Sequence, residues 1–175
     1  MKKILFPHAY LESVFDIDFE KVYNLGYEAL IFDIDSTLVP HGNDSTDEID
    51  ELFKFIHSLG LKTILLSNNS EERIESFNTN IKTSFIPLAN KPHKSNYLKA
   101  IKMLGVEKSK VLFIGDQIFT DILGANLCGI KNVLVKFLVH EGEIKIGKKR
   151  KVENIILKIF TLNQSYTKSQ FKIER

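Results

Sequence analysis

What most constrains the fold is the rhythm of the chain from Glu28 onward: short, nearly continuous apolar runs separated by amphipathic stretches. A strand covered on both faces needs apolar side chains on both, so it reads as an unbroken run, and the helix that covers it reads as a stripe. Their alternation predicts βαβ units and a parallel sheet. Five runs qualify, at residues 29–32, 61–66, 84–87, 110–114 and 132–135. Between the first two, Ile49, Leu52, Phe53, Ile56 and Leu59 recur at helical spacing, with Ser45 and Glu48 as a capping box and Gly60 as the stop. The other crossovers are expected over 69–78, 94–104 and 120–127. The predicted fold is α/β, a Rossmann-like three-layer sandwich around a five-stranded, mostly parallel sheet.

At 175 residues and 43% hydrophobic content the chain can bury one substantial core. We expect a single domain over residues 1–162. Residues 1–28 read as a helical arm, with Phe6, Tyr10, Leu11, Val14 and Phe15 on one side to cover a sheet edge, and residues 29–136 form the core. Residues 137–162 read as a basic loop and a C-terminal helix, in which Lys148-Lys149-Arg150-Lys151 precedes Val152, Ile155, Ile156, Ile159 and Phe160 at helical spacing. Residues 163–175 read as a frayed tail. A net charge of +2 is too small to predict nucleic-acid binding, which needs a concentrated basic stripe, and no nucleic-acid partner is expected. Cys128 is the sole cysteine, so no intramolecular disulfide can form, and its small neighbours make packing its expected role. No run approaches the roughly 20 apolar residues of a membrane span. A cytoplasmic protein is expected, with residues 148–160 as the one stretch suited to a membrane surface: a basic run joined to an apolar stripe is either a solvated cluster or an anionic-lipid contact.

The chemistry gathers at the carboxyl ends of the predicted strands, where open α/β sheets bind ligands. The first strand ends in Phe32-Asp33-Ile34-Asp35-Ser36-Thr37. Two carboxylates where a buried strand opens into a loop are costly unless neutralised, and a divalent metal would neutralise them. The second strand ends in Ser67-Asn68-Asn69, a hydroxyl followed by amides that open a helix and suit an anion. The third leads to Lys91-Pro92, and the fourth ends in Gly115-Asp116 and continues to Asp121. Four aspartates, a serine and a lysine at one rim are groups for one hard metal and one phosphoryl group. The five histidines, His8, His41, His57, His93 and His140, show no spacing of a ligand set, although His41 and His93 lie close enough to motifs to touch a substrate.

In that order, Asp33-Ile34-Asp35-Ser36-Thr37, Ser67, Lys91 and Gly115-Asp116 through Asp121 resemble the four motifs of the haloacid dehalogenase superfamily of aspartate-nucleophile phosphatases. The Ser67-Asn68-Asn69, Lys91-Pro92 and Gly115-Asp116-Gln117 segments are more closely similar to the YqeG-type IIIA family, over about residues 5–160. The resemblance implies a Mg2+-dependent phosphomonoesterase. Asp33 would be the nucleophile and Asp35 the general acid and base. Ser67, Asn68 and Lys91 would hold the phosphoryl oxygens. Mg2+ would lie on Asp33, Asp35 (through its backbone carbonyl) and Asp116, with Asp121 and Thr37 supporting. For Asp35 to act as the acid, its pKa should sit above that of Asp33.

Many superfamily members carry a cap domain inserted after the first or second motif, and neither interval here has room for one. An open site favours a bulky substrate, and similar proteins are associated with phosphatidylglycerophosphate, so a phospholipid phosphomonoester is the leading substrate class. The alternatives are small soluble nucleotide or sugar phosphates, or a non-catalytic phosphate-binding role. A phosphomutase would need a cap to shield its phosphoenzyme from water, and a dehalogenase would not need Asp35 because no leaving oxygen takes a proton.

Overall fold

The computed structural model describes residues 4–140 and 147–164. Each of the five apolar runs contributes a strand to one parallel sheet: β2 (Ala29–Phe32), β3 (Lys62–Leu66), β4 (Ser84–Ile86), β5 (Val111–Gly115) and β6 (Lys131–Val135). A sixth strand comes from the arm expected to be helical. β1 (Ala9–Leu11) pairs in parallel with β6, and Tyr10 faces Leu134 in the register. The arm then continues as a short 3-10 turn and α1 (Phe19–Asn24). It therefore closes the sheet edge with backbone hydrogen bonds as well as side chains, which three residues of alternating burial signal too weakly in sequence to be read as a strand.

The order β1-β6-β5-β2-β3-β4 makes β2 central, with Ile31 between Ile64 of β3 and Phe113 of β5. From β2 the chain moves to β3 and β4 on one side, then returns to β5 and β6 on the other. The carboxyl ends of β2 and β5 thus straddle the point where the connections diverge, which opens a crevice there.

Alternate side chains of each strand sort onto opposite faces. On one face Leu30, Phe32, Leu65, Leu112 and Ile114 pack with Phe19 and Val22 of α1, with Ile49, Phe53 and Ile56 of α2 (Asp47–Ser58), and with Ile74 and Phe77 of α3 (Glu71–Phe77). On the other, Ala29, Ile31, Ile64, Leu66 and Phe113 meet Tyr97, Ala100 and Leu104 of α4 (Lys94–Leu104) and Ala125 and Cys128 of α5 (Leu123–Cys128). Cys128 packs in this layer, as its small neighbours imply. The cap of α2 is Thr46, whose hydroxyl accepts from the Ile49 amide; Ser45, expected in that role, bonds Asp50 at 2.6 Å instead.

The intervals from Leu38 to β3 and from Ser67 to Lys91 hold a loop with α2, and α3 with β4, and no inserted domain. The C-terminal helix α6 (Lys148–Gln164) takes in the first two residues of the expected tail; the rest of that tail, and residues 141–146 of the basic loop, lie outside the described residues. Its inner face sets Ile156 and Leu157 against Ile118, Ile122 and Leu134, and Phe160 against Phe6 at 5.7 Å.

Gly124 is the tightest contact between α4 and α5: a Cβ there would lie 2.3 Å from the Tyr97 hydroxyl oxygen and 2.4 Å from its ring. The ring is fully buried and cannot give way. Gly124→Ala should therefore cost roughly 1–3 kcal/mol despite alanine's better helix propensity. Urea denaturation would show the lower midpoint, and combining it with Tyr97→Leu should recover part of the loss.

Candidate active site

Asp33 follows directly from β2, and its amide donates to the Ile114 carbonyl at 3.0 Å, so the strand ladder fixes its backbone against β5. Asp116 follows β5. Next comes a single π turn, Ile118–Ile122, which carries Asp121. Such turns are rare and re-aim the side chains they carry. Here Asp121 turns back on its own strand end: Oδ2 accepts from the amides of Asp116 and Gln117 at 3.2 and 2.9 Å. The Tyr97 hydroxyl braces the turn from α4 by donating to the Thr120 carbonyl at 2.9 Å.

Lys91 enters from the loop after β4. Its amide is held by Asn68 Oδ1 at 2.8 Å, and its ammonium, buried, bonds Asp33 Oδ1 at 2.5 Å and Asp121 Oδ1 at 2.7 Å. Ser67 is buried at the end of β3, where its hydroxyl accepts from the Asn69 amide at 3.3 Å. Thr37 lies 3.3 Å from Asp33 Oδ2 and 3.1 Å from Asp116 Oδ1. Its single hydroxyl hydrogen cannot serve two ionised carboxylates at once, so the pair is better satisfied when one acid keeps a proton. The loops carry their own cost, since Ser36, Leu88 and Asn90 all take left-handed backbone at this rim.

Asp33, Asp116 and Asp121 offer carboxylate oxygens that lie within 4.8 Å of one another, all buried. The cations bonded to them are Lys91 and Arg150, the latter on Asp116 Oδ2. Arg150 is also shared with the buried Glu153, so the two cations do not neutralise the three aspartates in this desolvated pocket. Burial accordingly raises the Asp33 carboxyl to about 6, against the pull of Lys91 and with the push of Asp121. It raises Asp116 to about 8, with Asp121 and Asp33 adding to the shift and Arg150 opposing it. Hard oxygen donors with surplus negative charge fit a divalent cation. Each oxygen of Asp33 and Asp116 has one protein contact and so keeps a lone pair to give, whereas Asp121 spends one oxygen on Lys91 and the other on two amides.

Asp35 stands apart from this cluster. It accepts from the Gly42 amide at 3.0 Å and from Asn69, and it pairs with Arg73 at 3.1 Å and His41 at 3.3 Å. Burial pushes its pKa up, but the Gly42, Asn69, Arg73 and His41 contacts outweigh burial and hold it below the ordinary value. With these protein groups alone, the order expected for Asp33 and Asp35 is reversed. Of the two histidines near motifs, His41 reaches Asp35, and His93 caps α4 without a side-chain bond.

Sequence reasoning did not single out Arg73, Tyr97, Arg150 or Glu153. Arg73 lies in the first turn of α3, which four residues separate from the end of β3, where nothing in its spacing marks it, and Arg150 was one member of a basic run. The one sequence signal available was that Arg150 is the only arginine among three lysines, and a planar fork suits carboxylates.

A family model for haloacid dehalogenase-like hydrolases matches residues 41–129. "Probable phosphatase YqeG" of Bacillus subtilis (strain 168) is 30% identical over 158 residues, covering 90% of this chain and 92% of that protein. The chain belongs to the haloacid dehalogenase-like hydrolases, as a phosphatase of the YqeG type. "Glyceraldehyde 3-phosphate phosphatase" of Pyrococcus abyssi (strain GE5 / Orsay) is 33% identical over 64 residues, 37% of this chain and 27% of that one. Among solved structures, an uncharacterized protein from Listeria monocytogenes serotype 4b superposes with a TM-score of 0.53 at 20% identity, covering 76% of this chain and 98% of that one. That last likeness concerns the fold alone.

The raised carboxyls set the pH response of the metal-free protein. Where the folded state holds a proton that the unfolded state has lost, stability falls as pH rises. Burial lowers His8 and His57, which act in the opposite direction, but only below their ordinary value of 6.5. Between pH 6.5 and about 8 the Asp116 effect is therefore the largest of these. In EDTA the protein should lose on the order of 1 kcal/mol across that window. Asp116→Asn should flatten the slope, and added Mg2+ should raise Tm more at pH 8 than at pH 6.5, all read by thermal melts.

Proposed function

We propose that the chain hydrolyses phosphomonoesters through an aspartyl phosphate on Asp33. The observation that carries this reading is the Asp33 carboxylate itself: at the end of the central strand, one oxygen is held by a buried lysine and the other lies beside Thr37, which also touches Asp116. In the first step a carboxylate oxygen of Asp33 bonds to phosphorus, the bond to the ester oxygen breaks, and the departing oxygen takes a proton from Asp35. In the second, Asp35 accepts a proton from water as its oxygen attacks phosphorus, which releases inorganic phosphate and restores Asp33.

Ser67, the Asn68 amide and Lys91 would hold the phosphoryl oxygens on which charge spreads. Asp121 orients Lys91, and Thr37 orients Asp33 and Asp116. The side chains of Asp33 and Asp116 and the Asp35 carbonyl are the groups to hold Mg2+, which when bound offsets the repulsion between nucleophile and phosphate and favours the ionised form of Asp33. Asp35 must loosen from Arg73 and Asn69 to carry a proton, and entry of an anionic substrate that competes for Arg73 would achieve this.

For the substrate we favour a phospholipid phosphomonoester such as phosphatidylglycerophosphate. With no inserted cap, water exclusion must come from outside the domain. On α6, Val152, Ile155, Ile159 and Leu162 form an exposed apolar stripe, and the exposed Lys148, Lys149 and Lys151 stand at its start. This is the pattern of a helix lying on an anionic surface. No helix among the described residues is long and apolar enough to cross a membrane, so such contact would be peripheral. The 64-residue similarity to a triose phosphate phosphatase favours the second reading, a small soluble phosphomonoester.

The test is phosphate release from a panel of sugar phosphates, nucleotides and phosphatidylglycerophosphate in vesicles, with Mg2+ or EDTA. We expect Mg2+-dependent turnover, greatest on the lipid, that Asp33→Asn reduces to background. Robust turnover of soluble phosphates without lipid turnover or vesicle binding would sink the lipid assignment and leave the mechanism standing. Turnover retained by Asp33→Asn would sink the mechanism.

A further inference from the structure

The two carboxylate oxygens of Asp116 are both taken by protein groups. Oδ1 lies 3.1 Å from the Thr37 hydroxyl, on the side shared with Asp33. Oδ2 carries Nη2 of Arg150, while Nη1 of the same guanidinium donates to the Asp116 carbonyl at 2.9 Å. Oδ1 keeps a lone pair on the side of Asp33, but the charge of the carboxylate is already shared with a cation from α6 on Oδ2. We propose that Arg150 is a tethered competitor of the divalent metal: it closes Asp116 in the metal-free protein and must withdraw for the metal to load. This rests on reading Asp116 as a metal ligand.

The physical basis is charge and geometry together. A forked guanidinium that grips the side chain and the backbone carbonyl of one residue is a far better partner for a buried carboxylate than water is. It lowers the cost of leaving Asp116 buried beside Asp33 and Asp121. A divalent ion on the same carboxylate would lie close to that guanidinium in a low-dielectric pocket, and the repulsion opposes simultaneous binding.

The surroundings also supply somewhere for Arg150 to go. Nη1 is already 3.2 Å from Glu153 Oε2, on the next turn of α6, and the guanidinium lies 4.9 Å from the centre of the Phe137 ring. Glu153 is buried and pinned by the Phe119 amide, which donates to Oε1 at 3.0 Å. Beside them is a cleft of about 190 Å3 whose walls include Tyr10, Lys136, Phe137, Glu153 and Leu157. Arg150 can leave Asp116 and keep a counter-ion and an aromatic face. Because coupling is reciprocal, whatever holds Arg150 on Asp116 weakens the metal, and whatever draws α6 away strengthens it.

The experiment is Mg2+ affinity, measured by calorimetry or thermal shift on the full chain in the absence of substrate. The variants are Arg150→Gln, Arg150→Lys and, as a control for general charge, Lys149→Gln on the same turn. Arg150→Gln should bind Mg2+ more tightly by roughly 5- to 150-fold, the usual range of such coupling. Arg150→Lys should show a smaller gain, because a single ammonium cannot grip both the carboxylate and the carbonyl, and it keeps the test open if the glutamine variant does not fold. Lys149→Gln should change little. Mg2+ affinity that is unchanged or weaker in both Arg150 variants would overturn the latch and make Arg150 a support for Asp116. Absence of Mg2+ binding by wild type and all variants alike would overturn the metal-dependent reading itself, and the latch with it.

Discussion

The rest of the site depends on the buried ammonium of Lys91. It is one positive charge placed between two carboxylates that come from different strands, Asp33 after β2 and Asp121 beyond β5, while its own backbone belongs to the loop after β4. Taking any one of these ions out of water alone would cost several kcal/mol, and only mutual pairing with additional hydrogen bonds makes the burial tolerable. Asp33, Asp121 and Lys91 therefore specify one another. Two acidic partners hold the lysine pKa above its ordinary value against the opposing effect of burial. The same arrangement cannot satisfy Asp116, because Lys91 is already shared. That shortfall of positive charge is why the pocket suits a divalent ion, and why Arg150 settles there.

Arg150 changes how α6 should be regarded. A helix that merely covered the edge of the sheet would need only Ile156, Leu157 and Phe160. This one also sends Arg150 onto Asp116, anchors Glu153 on the Phe119 amide and places Lys149 on Gln117. Its first turn is thus part of the loop that carries Asp116, while the opposite side of the helix is the exposed apolar stripe. One helix has a polar face toward the acidic cluster and an apolar face toward the surroundings.

The sheet and the converging motifs were legible because both are written in local pattern. Strands covered on both sides read as unbroken apolar runs; Asp33, Ser67 and Asp116 each sit directly after one, and Lys91 lies in the loop that follows another. β1 was not legible, since Ala9-Tyr10-Leu11 is too short for an alternating pattern to stand out and its pairing with β6 is fixed by contacts across the whole chain. The environment of Asp35 was hidden for a related reason. Arg73, Asn69, His41 and the Gly42 amide converge on it from two loops and a helix, and nothing in the spacing of those residues predicts that they meet. Of the basic run, its character was plain, but which of the four side chains turns inward depends on the helix phase set by Phe160 and Ile156.

Asp35 and Asp33, two residues apart, have opposite environments, and the difference follows from where each lies relative to the sheet. Asp33 is still on the strand ladder, surrounded by Phe32, Ile34 and the end of β5, so burial dominates and raises its pKa. Asp35 has left the ladder and reached the rim, where exposed backbone and the first turns of neighbouring segments supply donors that lower its pKa. A nucleophile must be dry to be reactive toward phosphorus, and a proton carrier must be close to the leaving group and to water. On the proposed mechanism the strand end would divide those two requirements between alternate positions, with a single intervening residue, Ile34, fully buried between them. The donors that tie down Asp35 include a guanidinium with two nitrogens, Nε and Nη1, that are buried without a hydrogen-bond partner. Asp44 Oδ1 lies 3.8 Å from Nη1, too far for a hydrogen bond, so both nitrogens cost free energy until an acceptor reaches them. On the proposed mechanism an incoming phosphomonoester would be such an acceptor, and its arrival would draw Arg73 from Asp35 when Asp35 has to carry a proton.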